Sequence, residues 1–262
     1  MMNTVIMFDC LGYAPDHPDY VTALTATRKL LAGDGDSLYC QPCLSPVWDT
    51  TLACHALMEV GEKRLEPAIG RALDWIAGKQ VLDVAGDWAA ARPGLRPGGW
   101  AFQYENPHYP DLDDTAAAGL ALDRFDPERY RQAVDRAAEW VVGMQSRNGG
   151  WAAFDADNTH YLLNRIPFAD HGALLDPPTA DVSARCLGFL AQLGCRRNHP
   201  AVAGALAYLQ REQEADGSWF GRWGTNYIYG TWSVLTAFNA IGIGPETPEI
   251  RRAVNWLCAR QH

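Results

Sequence analysis

The chain has 262 residues, of which 48% are hydrophobic and 20% charged, so it is long enough to bury a large core in one or two domains. Its net charge is −9, its pI is about 5.2, and it has no Lys/Arg-rich run, which argues against nucleic-acid binding. No run approaches the ~18 apolar residues of a membrane-spanning helix, and the opening MMNTVIMFDC lacks the cationic and apolar regions of a signal peptide.

The seven cysteines are scattered and odd in number, which predicts reduced thiols in a cytosolic protein. Cys40 and Cys43 have the spacing of a metal-binding pair. Because no second CxxC pair or closely spaced histidine pair completes a tetrahedral site, we predict that the chain binds no metal.

The predicted helices fall into four pairs whose spacing repeats along the chain. The first helix of each pair is apolar and rich in small residues, and the four starts are Asp49, Asp114, Asp181 and Thr231, which are 65, 67 and 50 residues apart. The second helix carries an aromatic residue followed five positions later by a glutamine, and these glutamines are Gln80, Gln145, Gln213 and Gln261, which are 65, 68 and 48 residues apart. Two independent series therefore share one period.

The first three units each finish with a Gly-x-Trp triplet after the glutamine. Aligning RALDWIAGKQVLDVAGDW (71–88), RAAEWVVGMQSRNGGW (136–151) and GALAYLQREQEADGSW (204–219) predicts that Trp88, Trp151 and Trp219 occupy equivalent positions.

Each unit has the pattern of a hairpin formed by one buried helix and one amphipathic helix. A run of such hairpins predicts an all-α fold, an α/α toroid of the α6–α6 barrel type, with the apolar helices as its inner ring. Residues before about Gly33 fall outside the period. We therefore predict that residues 1–33 end a neighbouring helical domain and that residues 34–262 form the toroid domain.

Three carboxylates in YPDLDDTAAAGLAL, those of Asp111, Asp113 and Asp114, come at the start of the second inner helix. Helix capping explains one of them. Three carboxylates are more than capping needs. Because like charges this close repel one another, at least one of the three carboxyl groups is expected to keep its proton near neutral pH. The residues alone leave capping and acid chemistry both open. If the inner helices run the same way, their N-termini meet at one end of the cavity, so we expect Asp49 and Asp181 to lie near the triplet.

Aromatic residues precede the same helix starts. Trp48 precedes the first, Phe102 the second, and Trp223 and Tyr229 the fourth. An acid beside an aromatic-lined apolar chamber suits protonation of an alkene and stabilisation of the resulting cation by ring faces. For any single aromatic residue, core packing is the simpler explanation.

Several motifs resemble, in their order, those of the bacterial squalene–hopene cyclases of the triterpene cyclase group. They are SPVWDT (45–50), GGWAFQ (98–103), DLDDTA (111–116), NGGWAAFDADN (148–158), DPPTADVSAR (176–185) and DGSWFGRWGTNYIYGT (216–231). The Gln…Gly-x-Trp units are similar to the repeats of that group. The resemblance covers nearly the whole chain and implies a toroid that cyclises squalene to hopene or hopanol, in hopanoid biosynthesis, without a cofactor.

The resemblance assigns the proton donor to Asp113, with Asp111 and Asp114 ionised beside it. Asp181 matches a supporting acid and Arg185 its His or Arg partner. Their i, i+4 spacing predicts a mutual contact, although arginine can orient carboxylates but not relay protons. The positions that match substrate-contacting or cation-stabilising residues are Trp48, Asp49, Phe102, Phe154, Trp223 and Tyr229. Position 154 is tyrosine in some members, so that hydroxyl is missing here.

The resemblance also implies squalene as the partner and peripheral contact of the full-length enzyme with the cytoplasmic side of a membrane, and it allows a homodimer. Because family members extend beyond both ends of this sequence, we expect the chain to be a partial enzyme that is inactive by itself.

Other assignments fit less well. Oxidosqualene cyclases carry a single Asp followed by Cys in place of DxDD, and class II diterpene cyclases lack this density of repeats. Toroidal glycoside hydrolases need an open polar cleft, and a lipid-binding toroid without activity needs no clustered acids. A related DxDD cyclase acting on another polyprenyl chain stays open.

Overall fold

The computed structural model describes residues 2–34, 37–41, 43–166 and 174–261. The chain forms two compact units, Met1–Leu44 and Ser45–His262. The first contains helices α1 (Met2–Cys10) and α2 (Pro18–Arg28) and an antiparallel hairpin of β1 (Leu31–Asp34) and β2 (Ser37–Cys40). The boundary that the repeat period places after residue 33 falls inside this hairpin, whereas the compact units divide after Leu44. The assignment of residues 1–33 to a neighbouring helical domain stays a prediction.

The second unit is built of helices with a few short additional elements. In chain order these are α3 (Pro46–Val60), α4 (Glu66–Gly78), α5 (Trp88–Ala91), β3 (Trp100–Ala101), β4 (Pro110–Asp111), α6 (Leu112–Phe125), α7 (Arg131–Gly143), α8 (Ala180–Gln192), α9 (Pro200–Arg211), α10 (Tyr227–Ala240) and α11 (Pro248–Cys258). Two 3₁₀ turns lie at Lys63–Leu65 and Tyr161–Arg165. No described helix combines the length and the apolar character needed to cross a membrane.

The helices form two layers. Helices α3, α6, α8 and α10 pack side by side in chain order as an inner row, and each packs against the outer helix that follows it, namely α4, α7, α9 or α11. The sequence explains this division: nine of the 14 residues of α6 are buried, and most of them are small. Gly119 shows how closely the inner helices approach, because a Cβ there would lie 2.5 Å from the ring of Phe189 in α8. The predicted helix-pair architecture is confirmed.

The repeated glutamines and tryptophans tie each unit to the next. Three of the four repeated glutamines donate from Nε2 to a carbonyl of their own glycine loop and to one in the first turn of the next outer helix. The pairs are Gln80 to Gly98 and Ala133 (2.8 and 2.9 Å), Gln145 to Gly149 and Ala201 (both 2.8 Å), and Gln213 to Gly217 and Glu249 (both 2.9 Å). The repeat in the sequence therefore corresponds to a repeated pair of hydrogen bonds in the structure.

The tryptophan that closes the first unit is Trp100, so the alignment on Trp88 is wrong. The indoles of Trp100, Trp151 and Trp219 donate to carbonyls of the preceding outer helix, those of Ile76, Val141 and Leu209 at 2.6, 2.7 and 2.7 Å. Trp88 instead starts the short helix α5, and its ring meets that of Trp140 edge to face at 5.8 Å. An insertion in the first unit supplies an earlier Gly-x-Trp triplet that imitates the repeat.

Candidate active site

Asp111 fixes the start of α6 through both its side chain and its backbone. The Asp111 carboxylate accepts a hydrogen bond from Asp114 N at 2.7 Å and so caps the helix. Its backbone pairs with Trp100 in the short β3–β4 ladder. Thr115 Oγ1 accepts from Trp100 N at 2.9 Å and donates to the Asp111 carbonyl at 2.5 Å. The loop of the repeat therefore holds the acidic motif in place.

Asp113 forms an ion pair with Arg185 of α8, and both side chains are largely buried, with 13% and 14% of their surface exposed. Arg185 also donates from Nη2 to the Tyr229 hydroxyl at 3.0 Å, and its guanidinium carbon lies 5.0 Å from the centre of the Trp48 ring. Arg185 thus contacts one residue of each of the other three inner helices. Sequence reasoning named all four residues but did not find that one cation joins them.

The predicted contact between Asp181 and Arg185 is wrong. Among the described residues no ion pair joins them, although both lie on α8, four positions apart. Asp181 is 2% exposed, and its Oδ2 accepts from the backbone N of Trp223 at 2.9 Å, in the loop before α10. Arg185 pairs instead with Asp113 of α6.

Burial raises the pKa values of the whole triplet. It holds the pKa of Asp111 well above its ordinary value, and the neighbouring Asp114 adds to that rise. The pKa of Asp114 rises to about 7, also mainly through burial. Burial raises the pKa of Asp113 as well, although the charge and hydrogen bond of Arg185 oppose the rise. The expectation that Asp111 and Asp114 are both ionised does not fit this environment, which favours a shared proton.

The structure brings the other two predicted acids within electrostatic range of the triplet. The charge of Asp181 raises the pKa of Asp113, and that of Asp49 raises the pKa of Asp114, in each case after the larger effect of burial. Asp49 itself is exposed and accepts from Ser45 Oγ at 2.8 Å. Its role is therefore peripheral to the buried carboxylates, whereas Asp181 is buried with them.

The predicted aromatic residues are not equivalent. The rings of Phe154 and Trp223 meet edge to face at 5.9 Å and 79°, and the ring of Tyr229 meets that of Trp232 at 5.7 Å. Trp48 lies beside Arg185. Phe102 is half-buried just after β3. In the part of the chain that the structure describes, it stacks on none of these rings.

Asp176 and Arg222 are site residues that sequence reasoning missed. Both stand inside the quoted motifs, but neither belongs to the acidic triplet or to the aromatic set. Asp176 accepts from three consecutive backbone N–H groups around Phe154, and Arg222 precedes Trp223. Within the described ranges, no group of three or more His, Cys, Asp or Glu side chains could hold a metal ion.

Comparison with known proteins agrees with this geometry. The sequence model of the squalene–hopene cyclase C-terminal domain matches residues 44–262. The chain is 56% identical to a probable squalene–hopene cyclase of Sinorhizobium fredii, over all of this chain and 41% of that protein. It is 53% identical to the squalene–hopene cyclase of Bradyrhizobium diazoefficiens, over all of this chain and 40% of that protein.

Two solved structures share the fold. The type II terpene cyclase MstE from Scytonema, in its apo form, has a TM-score of 0.56 at 19% identity and covers 88% of this chain and 58% of that one. A variant of MstE in complex with its product, merosterolic acid A, has a TM-score of 0.58 at 20% identity over 82% of this chain and 56% of that one. The helix-pair fold is thus the α/α toroid of terpene cyclases, as predicted.

With its buried acidic motif at the inner-helix starts, the chain is of the terpene cyclase class. It belongs to the squalene–hopene cyclase family. The chain spans about 40% of the length of the curated relatives it matches.

Proposed function

We propose that this protein provides the acid site of a terpene cyclase in which Asp113 protonates a terminal double bond of squalene. The observation that carries the proposal is the Asp113–Arg185 ion pair, buried at the start of α6 and in contact with Trp48 and Tyr229. An intramolecular transferase, or isomerase, of this kind needs no cofactor, because the acid supplies the only reagent.

The environment of Asp113 suits a proton donor. Burial raises the pKa of Asp113 and so keeps a proton available near neutral pH. Once the proton has left, Arg185, which also donates to the Tyr229 hydroxyl, stabilises the carboxylate that remains. Asp111, Asp114 and Asp181 set the local charge and geometry, and Arg185 orients Asp113 without relaying protons.

The reaction balances without a redox partner. The proton of Asp113 forms a C–H bond with the alkene, and each later ring closure consumes one π bond and forms one C–C bond. The final cation loses a proton to give hopene or captures water to give hopanol, and Asp113 then regains a proton from water. We assign cation stabilisation to Trp48, Phe102, Phe154, Trp223 and Tyr229, with Asp49 as an outlying charge.

The other predicted properties of the full-length enzyme follow from its substrate. Squalene partitions into membranes, so we propose a peripheral enzyme on the cytoplasmic side. A homodimer remains compatible with this proposal. Because the chain spans about 40% of its relatives, we expect residues 1–262 alone to be inactive.

The test is to incubate the full-length enzyme that carries this segment with squalene and to analyse the organic extract by gas chromatography and mass spectrometry. Hopene and hopanol are expected, and heat-treated enzyme is the blank. Absence of any cyclic product would contradict the proposal. Preferential cyclisation of a shorter polyprenyl chain would favour the related DxDD cyclase instead.

A further inference from the structure

Asp176 organises the loop that carries Phe154. Its carboxylate accepts from the backbone N–H groups of Ala153, Phe154 and Asp155 at 3.3, 2.6 and 3.1 Å. Consecutive N–H groups that converge in this way form a concave site for an anion. The loop conformation, and with it the place of the Phe154 ring, therefore depends on the negative charge at position 176.

Arg222 connects Asp176 to a second loop. Its Nη1 lies 3.6 Å from Asp176 Oδ1 and 3.4 Å from the carbonyl oxygen of Leu175, and 8% of its side chain is exposed. A buried guanidinium is costly unless it is paired. Because Arg222 directly precedes Trp223, the ion pair fixes the backbone from which the Trp223 ring projects.

The two loops bring their rings together next to the acid site. Phe154 and Trp223 meet edge to face at 5.9 Å. The backbone N of Trp223 donates to Asp181 at 2.9 Å, and the charge of Asp181 acts on Asp113. The Asp176–Arg222 pair is thus linked to both ring-bearing loops and, through the backbone N–H of Trp223, to the buried Asp181.

We propose that Asp176 and Arg222 are positioning residues that hold the Phe154–Trp223 ring pair relative to the acid site and so determine how far cyclisation proceeds. The inference rests on the proposed cyclase function. The attraction between a cation and a ring face depends on their distance and orientation, and small misplacements are costly in a reacting complex. When the rings shift, an early cation is stabilised less and loses a proton or captures water before the next ring closes.

The test compares product ratios in the full-length enzyme. Asp176→Asn removes the charge that organises the Phe154 loop, and Arg222→Gln removes the cation of the pair. Arg222→Lys is the rescue variant, because Nη1 alone makes both contacts of Arg222 and one ammonium group can replace it. Arg96→Gln is the matched control, since Arg96 pairs with Glu139 at the exposed surface.

In Asp176→Asn and Arg222→Gln, we expect the ratio of incompletely to completely cyclised products to rise about tenfold. Apparent kcat for complete cyclisation should fall while KM changes little, because substrate binding is spread over the whole cavity. The Lys variant should return the ratio towards wild type, and Arg96→Gln should leave it unchanged. Thermal unfolding and circular dichroism establish that each variant is folded.

A wild-type product ratio in folded Asp176→Asn or Arg222→Gln would overturn the inference. So would unfolding of all three variants, because the pair would then be structural. If the wild-type enzyme itself forms no cyclic product, the proposed function fails, which is a result distinct from either of these.

Discussion

Arg185 donates from Nε to Asp113 and thereby joins α8 to α6 across 72 positions of sequence. The same guanidinium contacts Tyr229 of α10 and Trp48 of α3. One buried cation therefore links all four inner helices at the residue proposed to donate the proton.

The first prediction concerns this cation. Arg185→Lys keeps the charge but loses the planar guanidinium, which donates from two nitrogens while it lies against the Trp48 ring. We expect the Asp113 carboxylate to be less well stabilised after proton transfer, so kcat for squalene cyclisation should fall about 10- to 100-fold. Arg124→Lys is the control, since Arg124 pairs with Glu59 at the exposed end of α6. Unchanged kcat in Arg185→Lys would show that Arg185 does not contribute to proton transfer from Asp113.

The second prediction concerns Asp113 itself. Asp113→Asn keeps the shape of the side chain but has no proton to give, so turnover should fall by ~10²–10⁴-fold or more. Squalene binding and folding should be largely retained. Steady-state kinetics on variant enzyme free of wild type is the measurement. Near-normal turnover would move the donor role to Asp111 or Asp114, and the same substitution at each of those positions identifies which.

The sequence predicts the helix pairs because two independent series of residues repeat at one interval. It also predicts that Asp113 and Asp181 share one end of the inner row, because both lie at the starts of apolar helices that are expected to run in the same direction. It mispredicts Trp88, because an insertion supplies a false Gly-x-Trp triplet before Trp100. It also mispredicts the partner of Arg185. An i, i+4 spacing reports only neighbours on the same helix, whereas Arg185 pairs with a carboxylate on another helix.

The third prediction concerns the hydrogen bonds of the repeat. Gln145 donates to the carbonyls of Gly149 and Ala201, joining its own loop to the next outer helix. Gln145→Ala leaves two carbonyls without this donor, so the free energy of unfolding should fall by ~1–3 kcal/mol. Gln210→Ala, at an exposed position of α9, is the control. Denaturant unfolding gives the free energy of unfolding of both variants. Equal values for Gln145→Ala and Gln210→Ala would show that Gln145 does not join the units.

The fourth prediction is a dependence of stability on pH. In the unfolded chain Asp114 ionises near 3.8, whereas burial raises its pKa in the folded protein to about 7. Between these pH values folding takes up a proton, so this carboxyl stabilises the fold less and less as pH rises. Above pH 7 the full cost of ionising a buried carboxyl is present. The neighbouring Asp111, whose pKa burial also raises well above its ordinary value, changes stability in the same direction.

Asp114→Asn removes that cost, because the amide cannot ionise, and it leaves in place the backbone N–H of residue 114 that donates to Asp111. Relative to wild type, we expect the variant to be more stable at pH 8 than at pH 5 by ~1–4 kcal/mol, since one pKa unit corresponds to ~1.4 kcal/mol. Thermal or denaturant unfolding of both proteins at the two pH values gives this double difference. Asp135→Asn, exposed on α7, should give a double difference near zero. A value near zero for Asp114→Asn as well would mean that Asp114 ionises in the folded enzyme as it does in water. The interpretation that the triplet shares a proton would then be wrong.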